Sequence, residues 1–304
     1  MRIRSKQGSF EPGRQIGASK RRFGGTSCAS SSKIHIFVNM VVLITGISSG
    51  FGRAMAQRLS AEGHKVYGTH RKAGERIPGV TYLKADITDE EQVNAAVDTV
   101  LQKEGRIDVF INNAGMGYGG PLEFASVEDA RAQMDVNWLG MVRFLHRIVP
   151  IMRSQGEGKI ICVSSIGGLM GLPFQGLYSA SKFAIEGYLE ALRLETRDFG
   201  IKVIAIQPGD FATGFTSSRR AITSEKVHAA YPKYAASLSS IEHDETTGLK
   251  PEYLAGKISR IIKSKRPANH YVIASPLQKL AVFAKRILPS KLFEIILAWY
   301  YKLI

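Results

Sequence analysis

Thr45-Gly46-Ile47-Ser48-Ser49-Gly50-Phe51-Gly52 is the stretch that decides the fold of this 304-residue chain. It follows an apolar run, 41–45, that is typical of a buried strand, and Phe51, Met55 and Leu59 then recur at helical spacing. Glycines between a strand and a helix let the backbone turn tightly and approach a pyrophosphate, which binds at the helix N-terminus. A Gly-rich turn taken alone can be merely a tight connection, but its place between strand and helix favours a dinucleotide site.

Strands and helices alternate along the rest of the chain. Between apolar runs, Val93, Val97 and Leu101 recur at helical spacing, and a longer apolar stripe extends from Met134 to Met152. We therefore predict a single α/β domain: a Rossmann-like, doubly wound parallel sheet of seven strands with extra C-terminal helices. Ligands of such a sheet bind at the carboxyl ends of the strands, near the point where strand order reverses. The predicted strands are 41–45, 65–69, 80–84, 107–111, 158–163, 201–206 and 270–274.

The composition excludes several other classes of protein. Hydrophobic residues make up 44% and charged residues 22%, as in globular proteins with a sizeable core. No run approaches the roughly 18 apolar residues that a membrane-spanning helix needs. The two cysteines, Cys28 and Cys162, lie far apart in the sequence and favour a reducing compartment, so we expect a cytoplasmic protein. The seven histidines show no ligand-like clustering, and no metal is predicted.

The net charge of +15 is distributed unevenly. Residues 1–39 contain eight Lys or Arg and one acid, Glu11, and so contribute +7, which leaves +8 for the other 265 residues. A basic tail without an aromatic-and-basic surface pattern does not indicate nucleic-acid recognition, and none is predicted. We expect 1–39 to be a disordered extension because it is rich in Gly, Ser, Lys and Arg and shows no periodicity. It can be a targeting segment, a functional tail or a stretch included by a mistaken start, and Met40, directly before the first strand, favours the last.

Turn motifs at several strand ends together resemble one known family. TGxxxGxG resembles the signature of the short-chain dehydrogenases/reductases, and the likeness covers most of 40–275, the predicted catalytic domain. Asp86-Ile87 falls where the family contacts adenine, and residues 112–115 match its NNAG motif. Pro208-Gly209 with Thr213 matches the PGxxxT motif that flanks the nicotinamide. Turn formers explain any one of these motifs but poorly explain all of them. The resemblance implies cofactor contacts at Gly46, Ser48, Ser49, Gly50, Phe51, Gly52, Asp86, Ile87, Asn113, Ala114, Gly115, Tyr178, Lys182, Pro208, Gly209 and Thr213.

The choice of cofactor is predicted from charge at the end of the second strand. An acid there would bond the ribose 2′-hydroxyl of NAD and repel a 2′-phosphate. Strand 65–69 instead runs into His70-Arg71-Lys72, and Arg71 can bind a phosphate in a bidentate fork. Ser48 can add a hydroxyl. Arg71 and Lys72 can also be ordinary solvated loop residues, but we predict NADP(H) rather than NAD.

A tyrosine and a lysine stand four residues apart in a helical pattern. Tyr178 and Lys182 therefore project from one face of a helix. Carbonyl reduction needs a proton donor, and we expect the ammonium of Lys182 to lower the pKa of the phenol. Ser165 follows the strand 158–163, thirteen residues before Tyr178, and its hydroxyl can bond the reacting oxygen. Ser164 is a rival, but neighbouring strand residues face opposite sides and the offset favours Ser165.

Spacing alone does not identify the catalytic set. Tyr253 and Lys257 repeat the YxxxK pattern, and Ser240 stands thirteen residues earlier. No strand precedes Ser240, so we interpret this second match as part of an ordinary surface helix. The family resemblance adds Asn137 as a fourth catalytic residue, which holds a water linking Lys182 to solvent. By itself, Asn137 would be interpreted as a polar residue with satisfied bonds that kinks a helix.

The stretch from Ser165 to Lys182 is especially similar to the hydroxysteroid and retinol dehydrogenase branch of the family. The similarity implies hydride transfer between NADP(H) and a lipophilic ketone, aldehyde or alcohol of the steroid, retinoid or aliphatic kind. Ser165 and Tyr178 would then contact the substrate. A non-catalytic NADP-binding sensor on the same fold is the alternative, although such a protein would be free to lose Tyr178 or Lys182. Residues 210–250, rich in Ser, Thr and Ala, are predicted to form a mobile substrate lid.

Residues 276–304 exceed what a minimal enzyme of this type needs. Apolar residues recur at helical spacing from Leu277 to Leu288, Pro289 interrupts the pattern, and five Lys or Arg flank it. We predict amphipathic helices that pack on the domain or on a partner subunit. A sharper hypothesis is an interfacial anchor that makes peripheral membrane contact. The family resemblance also implies a homodimer or homotetramer formed through helices near 130–153 and 178–198.

Overall fold

The computed structural model describes residues 39–71, 75–215 and 219–304, and it contains the predicted seven-stranded parallel sheet. The strand order is β3-β2-β1-β4-β6-β7-β9, and every neighbouring pair is parallel. A separate two-stranded pair joins β5 to β8. The strands are β1 Val41–Ile44, β2 Lys65–His70, β3 Val80–Lys84, β4 Val109–Asn112, β5 Tyr118–Gly119, β6 Gly158–Val163, β7 Ile201–Pro208, β8 Arg220–Ala221 and β9 His270–Ile273.

Helices connect these strands, and capping side chains define several of their starts. Asp89 accepts a hydrogen bond from the Gln92 amide at the start of α2, and Ser126 forms a capping box with Asp129 at the start of α3. A π-helical turn, Asp135–Leu139, separates α3 from α4. The helices are α1 Gly50–Ala61, α2 Glu90–Glu104, α3 Val127–Met134, α4 Gly140–Gln155, α5 Gly176–Glu195, α6 Glu225–Ala230, α7 Tyr234–Thr246, α8 Pro251–Lys263, α9 Pro276–Ile287 and α10 Ser290–Tyr300.

The sheet is buried on both faces, as a doubly wound fold requires. Successive residues of a strand point to opposite faces, so β1 divides its side chains between two apolar layers. Leu43 packs in the layer that includes α2, α4 and α5, whereas Val42 and Ile44 pack with α1 and α8. All three side chains are fully buried. The prediction of a single Rossmann-like α/β domain with extra C-terminal helices is confirmed.

The strand order places the ligand-binding edge of the sheet. It reverses between β1 and β4, so the loops that follow these two strands diverge and leave a crevice at their carboxyl ends. A third, smaller apolar cluster lies beyond this edge and holds the C-terminal helices against the loop after β6. Its buried members are Met170 from that loop, Val282 from α9 and Phe293 from α10.

Two further predictions concern the N-terminal extension and the segment after β7. The predicted disordered extension, 1–39, lies outside the described residues except for Asn39, and it stays a prediction. The segment 210–250, predicted as a mobile substrate lid, contains helices α6 and α7, and its mobility stays a prediction. Within the described residues, no helix is both long enough and apolar enough to cross a membrane.

Candidate active site

A cavity of about 900 Å³ occupies the crevice at the carboxyl edge of the sheet. Two sets of residues form opposite sides of it. The cofactor wall lies at the carboxyl ends of β1 to β4 and consists of Gly46 and residues 48–51, 69–71, 85–87 and 113–116. The C-terminal wall consists of Asp210, residues in 241–245 and residues in 277–301. The predicted site residues that line the cavity are Gly46, Ser48, Ser49, Gly50, Phe51, Arg71, Asp86, Ile87, Asn113, Ala114, Gly115, Ser165, Tyr178, Lys182, Pro208, Gly209 and Thr213.

Two predicted site residues, Gly52 and Asn137, do not line the cavity. Gly52 affects the cavity through the backbone that it allows to come close. Gly52 stands in the first turn of α1, where an added Cβ would overlap the backbone oxygen of Gly46. Gly46 itself has a φ of +72°, in the left-handed region that favours glycine. Glycine at 52 is therefore required for the helix N-terminus to approach the turn after β1.

The turns after β1 and β4 are joined by hydrogen bonds. Asn113 Nδ2 donates to the backbone oxygens of Thr45, at 2.9 Å, and Gly46, at 3.0 Å. The hydroxyl of Thr45 in turn accepts from the amides of Asn113 and Ala114, both at 2.9 Å. Because its amide nitrogen is committed to the Gly46 turn, Asn113 shapes the cofactor wall mainly by holding two loops together.

The ends of β2 and β3 complete the cofactor wall. Arg71 directly follows β2, lines the cavity and is exposed, while its neighbour Lys72 lies outside the described residues. Asp86 lines the cavity after β3, and its Oδ1 accepts from the amide of Thr88, at 3.0 Å, and from the Thr88 hydroxyl, at 2.8 Å. The described residue directly after β2 is thus a cation, Arg71, rather than an acid.

Tyr178 and Ser165 meet at the far end of the crevice. Tyr178 lies in the first turn of α5, and Ser165 follows β6. A Cβ added at Gly167 would stand 3.4 Å from both Ser165 Oγ and Tyr178 Cε1, so the two side chains lie close together. The Gly167 amide donates to Ser165 Oγ at 3.0 Å. Ser164 lines the cavity too, but its hydroxyl has no hydrogen-bond partner among the described residues. The structure therefore brings the predicted serine, rather than its neighbour, to the phenol.

The direction of the Tyr178 pKa shift differs from the expectation. Burial raises the pKa of Tyr178 to about 12, although the hydrogen bond with Ser165 acts in the opposite direction. Lys182 Nζ donates to the backbone oxygen of Val163, at 2.9 Å, and lies 5.6 Å from the centre of the Tyr178 ring. Burial is the largest cause of this rise, so the expected lowering of the phenol pKa is wrong for these protein groups. They hold Tyr178 as a neutral proton donor.

Lys182 is also affected by burial. Removal from water lowers the pKa of Lys182 to about 8, because the charged ammonium loses hydration. Lys182 is a buried residue of α5, one turn after Tyr178. The two functional groups therefore lie on the same helix face, as predicted. An ammonium that titrates near neutral pH can respond to a change of charge on the phenol.

Asn137 lies in the π-helical turn between α3 and α4 and is buried. Its Oδ1 accepts from the amide of Met116 at 2.8 Å, and its Nδ2 donates to the Met116 oxygen at 3.0 Å. Nδ2 also donates to the Ser181 hydroxyl of α5 at 2.9 Å. Asn137 therefore connects the loop after β4 with the helix that carries Tyr178 and Lys182. Its predicted role in a water relay stays a prediction.

The segment after β7 borders the same crevice. The amide of Gly209 donates to the Ile273 oxygen at 3.0 Å, which extends the pairing of β7 with β9 into the cavity edge. Thr213 stands against Gly50, where a Cβ on that glycine would touch it at 3.5 Å. The Phe215 ring lies 5.5 Å from the Tyr178 ring, centre to centre. The PGxxxT motif thus adjoins both the Gly-rich turn and the phenol.

Sequence reasoning missed the acidic part of the C-terminal wall. Asp210, Asp244 and Glu245 all line the cavity, and Arg219 forms a buried ion pair with Glu245. Gln278 of α9 donates to Asp210, and Tyr300 of α10 donates to Asp244 at 2.8 Å. These contacts also fasten α9 and α10 onto the domain.

Burial and like charge act together on this wall. Burial, followed by repulsion from Glu245 and Asp244, raises the pKa of Asp210 to about 7, against the opposing effects of Gln278 and Arg219. Asp244 and Glu245 are neighbours in α7, whereas Asp210 lies after β7, more than thirty residues earlier in the sequence, so no local motif indicates that they meet. Of the three, only Asp210 could have been identified as a site residue from the sequence, because it immediately follows the Pro208-Gly209 turn.

The second YxxxK match lies elsewhere, as predicted. Tyr253 and Lys257 belong to α8, and the Lys257 Nζ lies 5.2 Å from the centre of the Tyr253 ring. Tyr253 is exposed and does not line the cavity. It is therefore an internal control for the Tyr178–Lys182 pair.

Several known proteins are similar to this chain in sequence or in fold. The family model described as short chain dehydrogenase matches residues 40–223. This chain belongs to the short chain dehydrogenase family. It is 45% identical to the 3-ketodihydrosphingosine reductase of Bacteroides thetaiotaomicron, over 86% of this chain and 97% of that protein. It is 34% identical to the human 17-beta-hydroxysteroid dehydrogenase type 1, over 76% of each.

Two further relatives bear on fold and cofactor. The NADPH-dependent 3-dehydrocapnine reductase of Ornithobacterium rhinotracheale is 30% identical, over 83% of this chain and 94% of that protein. The crystal structure of a short-chain dehydrogenase from Streptomyces avermitilis superposes with a TM-score of 0.71 at 27% identity, over 87% of this chain and 97% of that one. The chain is accordingly an oxidoreductase of carbonyl and CH–OH groups whose fold binds a nicotinamide cofactor.

Proposed function

We propose that this enzyme uses NADPH to reduce a long-chain ketone that carries an amine beside its carbonyl, as 3-ketodihydrosphingosine does. The observation that carries the proposal is one continuous cavity, in which the Tyr178–Ser165 pair faces a wall that is apolar along α9 and α10 and acidic at Asp210 and Asp244. A lipophilic chain and a cationic amine each find a complementary surface there.

The cofactor wall fits a phosphorylated dinucleotide. The N-terminus of α1 would hold the pyrophosphate over the turn that Gly46 and Gly52 permit. Asp86 and Ile87 would border the adenine, and residues 113–115 the adenosine. Arg71 would pair with the 2′-phosphate, because its guanidinium can donate two parallel hydrogen bonds. Ser48 and Ser49 line the same region.

Each catalytic residue has a separate role in this proposal. NADPH supplies the hydride, and Tyr178 donates a proton from its phenol to the carbonyl oxygen. Ser165 holds that oxygen with its hydroxyl and stabilises the negative charge that develops on it. The ammonium of Lys182 stabilises the resulting phenolate and positions the ribose, which Pro208, Gly209 and Thr213 help to enclose. Asn137 positions α5 through Ser181, and a water that it holds would return the proton from solvent.

The acidic part of the C-terminal wall supports an amine next to the carbonyl. Asp210, Asp244 and Glu245 carry up to three negative charges, and Arg219 forms an ion pair with Glu245. A protonated amine placed there would be attracted at short range in a partly desolvated site. A neutral steroid ketone would bring no positive charge to Asp210 and Asp244.

A substrate series tests the proposal. NADPH oxidation would be followed with 3-ketodihydrosphingosine, the same ketone without the amine, a steroid ketone and retinal, and then repeated with NADH. We expect the amino ketone with NADPH to give the highest kcat/KM and Asp244→Asn to reduce the preference for the amine about tenfold. Faster reduction of the steroid would refute the substrate. Tight NADPH binding without turnover of any carbonyl would favour the sensor alternative.

We also propose a homodimer or homotetramer formed through α4 and α5, near 130–153 and 178–198. Exposed apolar side chains on this side support it, namely Leu139, Phe183 and Leu194, with exposed fractions of 36%, 46% and 72%. Light scattering coupled to gel filtration should give two or four chains, and Phe183→Asp should shift the mass toward one chain. A monomeric wild-type protein would contradict this proposal.

A further inference from the structure

The C-terminal helices leave an unusual apolar surface in contact with solvent. Of the sixteen large apolar side chains that are exposed in the described part of the chain, ten lie in residues 277–304. The tail surface is defined here as nine of these: Leu277, Leu280, Phe283, Ile287, Leu292, Ile295, Ile296, Trp299 and Ile304. Each has an exposed fraction between 46% and 71%. A contiguous apolar surface of this kind marks an interaction site rather than ordinary solvent exposure.

The opposite faces of α9 and α10 already have partners. Val282 and Phe293 are buried against Met170 and its loop. Gln278 is hydrogen-bonded to Asp210, Tyr300 to Asp244, and the Leu303 oxygen accepts from Lys233 at 2.7 Å. The two helices are thus fixed on the domain by one side, and the tail surface is the side that remains.

Positive charge surrounds the tail surface. The stretch 276–304 contains five Lys or Arg and a single acid, Glu294. None of the five forms an ion pair with a carboxylate within the described residues, and Lys285 lies over the Phe293 ring at 5.1 Å. Apolar and aromatic side chains between unpaired cations are complementary to the interface of an anionic bilayer, where the cations meet lipid phosphates. The basic residues are Lys279, Lys285, Arg286, Lys291 and Lys302.

The tail surface is continuous with the cavity. Leu277, Leu280, Ile296 and Trp299 are exposed and also line the cavity. The mouth of the active-site cavity therefore opens within the apolar surface itself. A lipid chain leaving a bilayer at this point would pass from one apolar environment into another without crossing water.

We infer that the tail surface seats on an anionic lipid bilayer and that lipid-dissolved substrate enters the cavity directly from it. The single acid and the excess of cations favour a negatively charged surface over a second copy of this chain, because two copies would bring ten cations together. Entry of the substrate from the bilayer rests on the function proposed above, whereas the bilayer contact itself requires neither that reaction nor that substrate and can be tested without them.

Vesicle sedimentation of the full chain tests the inference. We expect co-sedimentation with vesicles that contain phosphatidylglycerol, weak co-sedimentation with pure phosphatidylcholine, and a decrease with added salt. Phe283→Asp combined with Ile295→Asp should reduce binding at least tenfold, since neither residue lines the cavity and both are exposed. The matched control, Val127→Asp with Tyr253→Asp, adds the same charge at exposed apolar positions elsewhere and should bind like wild type.

A spectroscopic readout assigns the contact to the tail surface rather than to the basic segment 1–39. Trp299 is 71% exposed, and no tryptophan occurs in 1–39. Anionic vesicles should shift the emission to shorter wavelength, and Trp299→Phe should abolish the shift. The inference is overturned if wild type does not sediment, if both double variants sediment equally, or if neutral vesicles bind as well. It is also overturned if Phe283→Asp with Ile295→Asp converts a dimer to a monomer without changing vesicle binding.

Discussion

The two sides of the cavity differ in how they are built. The cofactor wall consists of backbone turns that follow consecutive strands, and glycines at 46 and 52 decide its shape. The C-terminal wall consists of side chains from α7, α9, α10 and the segment after β7. A backbone turn presents the same amide and carbonyl groups whichever side chains surround it. The side chains of the C-terminal wall, by contrast, can be substituted without altering the sheet. This difference explains how one fold can keep its cofactor and change its substrate.

The largest effect on activity is expected from a change at Tyr178, which lines the cavity that the two walls enclose. Tyr178→Phe removes the phenol proton that would be transferred to the carbonyl oxygen, so kcat should fall about 10²–10⁴-fold. NADPH affinity, measured by fluorescence titration, should change less than about threefold. The control Tyr253→Phe removes a hydroxyl from the second YxxxK pair and should retain full activity. Equal loss in both variants would show that the activity depends on something other than this phenol.

The next effect tests the cofactor wall. Gly52→Ala would drive a methyl group into the Gly46 oxygen, so we expect unfolding free energy to fall by about 1–3 kcal/mol and NADPH affinity to fall with it. Gly256→Ala is the matched control, because this helical glycine faces open space. It should stabilise the protein by up to about 1 kcal/mol. Urea denaturation and NADPH titration of both variants measure the difference, and equal behaviour would argue against a tight turn.

A smaller effect separates NADPH from NADH. Arg71→Ala should raise the KM for NADPH about tenfold and leave the KM for NADH unchanged. Only NADPH carries the ribose 2′-phosphate, so only NADPH would lose a charge-assisted hydrogen bond. Arg76→Ala, which removes an exposed arginine that does not line the cavity, should leave both constants unchanged. A parallel increase for both cofactors in Arg71→Ala would remove the support for NADPH preference.

The smallest effect concerns the C-terminal wall and depends on pH. The pKa of Asp210 is raised to about 7 in the folded protein, above the ordinary value of 3.8, so the folded state binds more protons between these pH values. Its contribution to stability is therefore lost as pH rises from about 4 to about 7. Asp210→Asn should be about 1–2 kcal/mol more stable than wild type at pH 8 and nearly equal at pH 4. Denaturation at both pH values measures this, and a constant difference would exclude titration of Asp210 as its cause.

The sequence by itself determined the sheet, the Gly-rich turn and the positions of Tyr178, Lys182 and Ser165. These features depend on local patterns: apolar runs, turn residues at strand ends, and a four-residue helical spacing. The strand bounds shifted by only a few residues, as at β4, which begins at Val109 rather than at 107.

Tertiary structure alone decided the acidic wall, the positions of α9 and α10 at the cavity mouth, and the direction of the Tyr178 pKa shift. Asp210, Asp244 and Gln278 are separated by more than thirty residues from one another, so their meeting depends on how distant helices pack. The pKa depends on how much water the folded chain removes from the phenol, and this burial is the largest cause of its rise. Local spacing determines which groups share a face, while packing determines their surroundings.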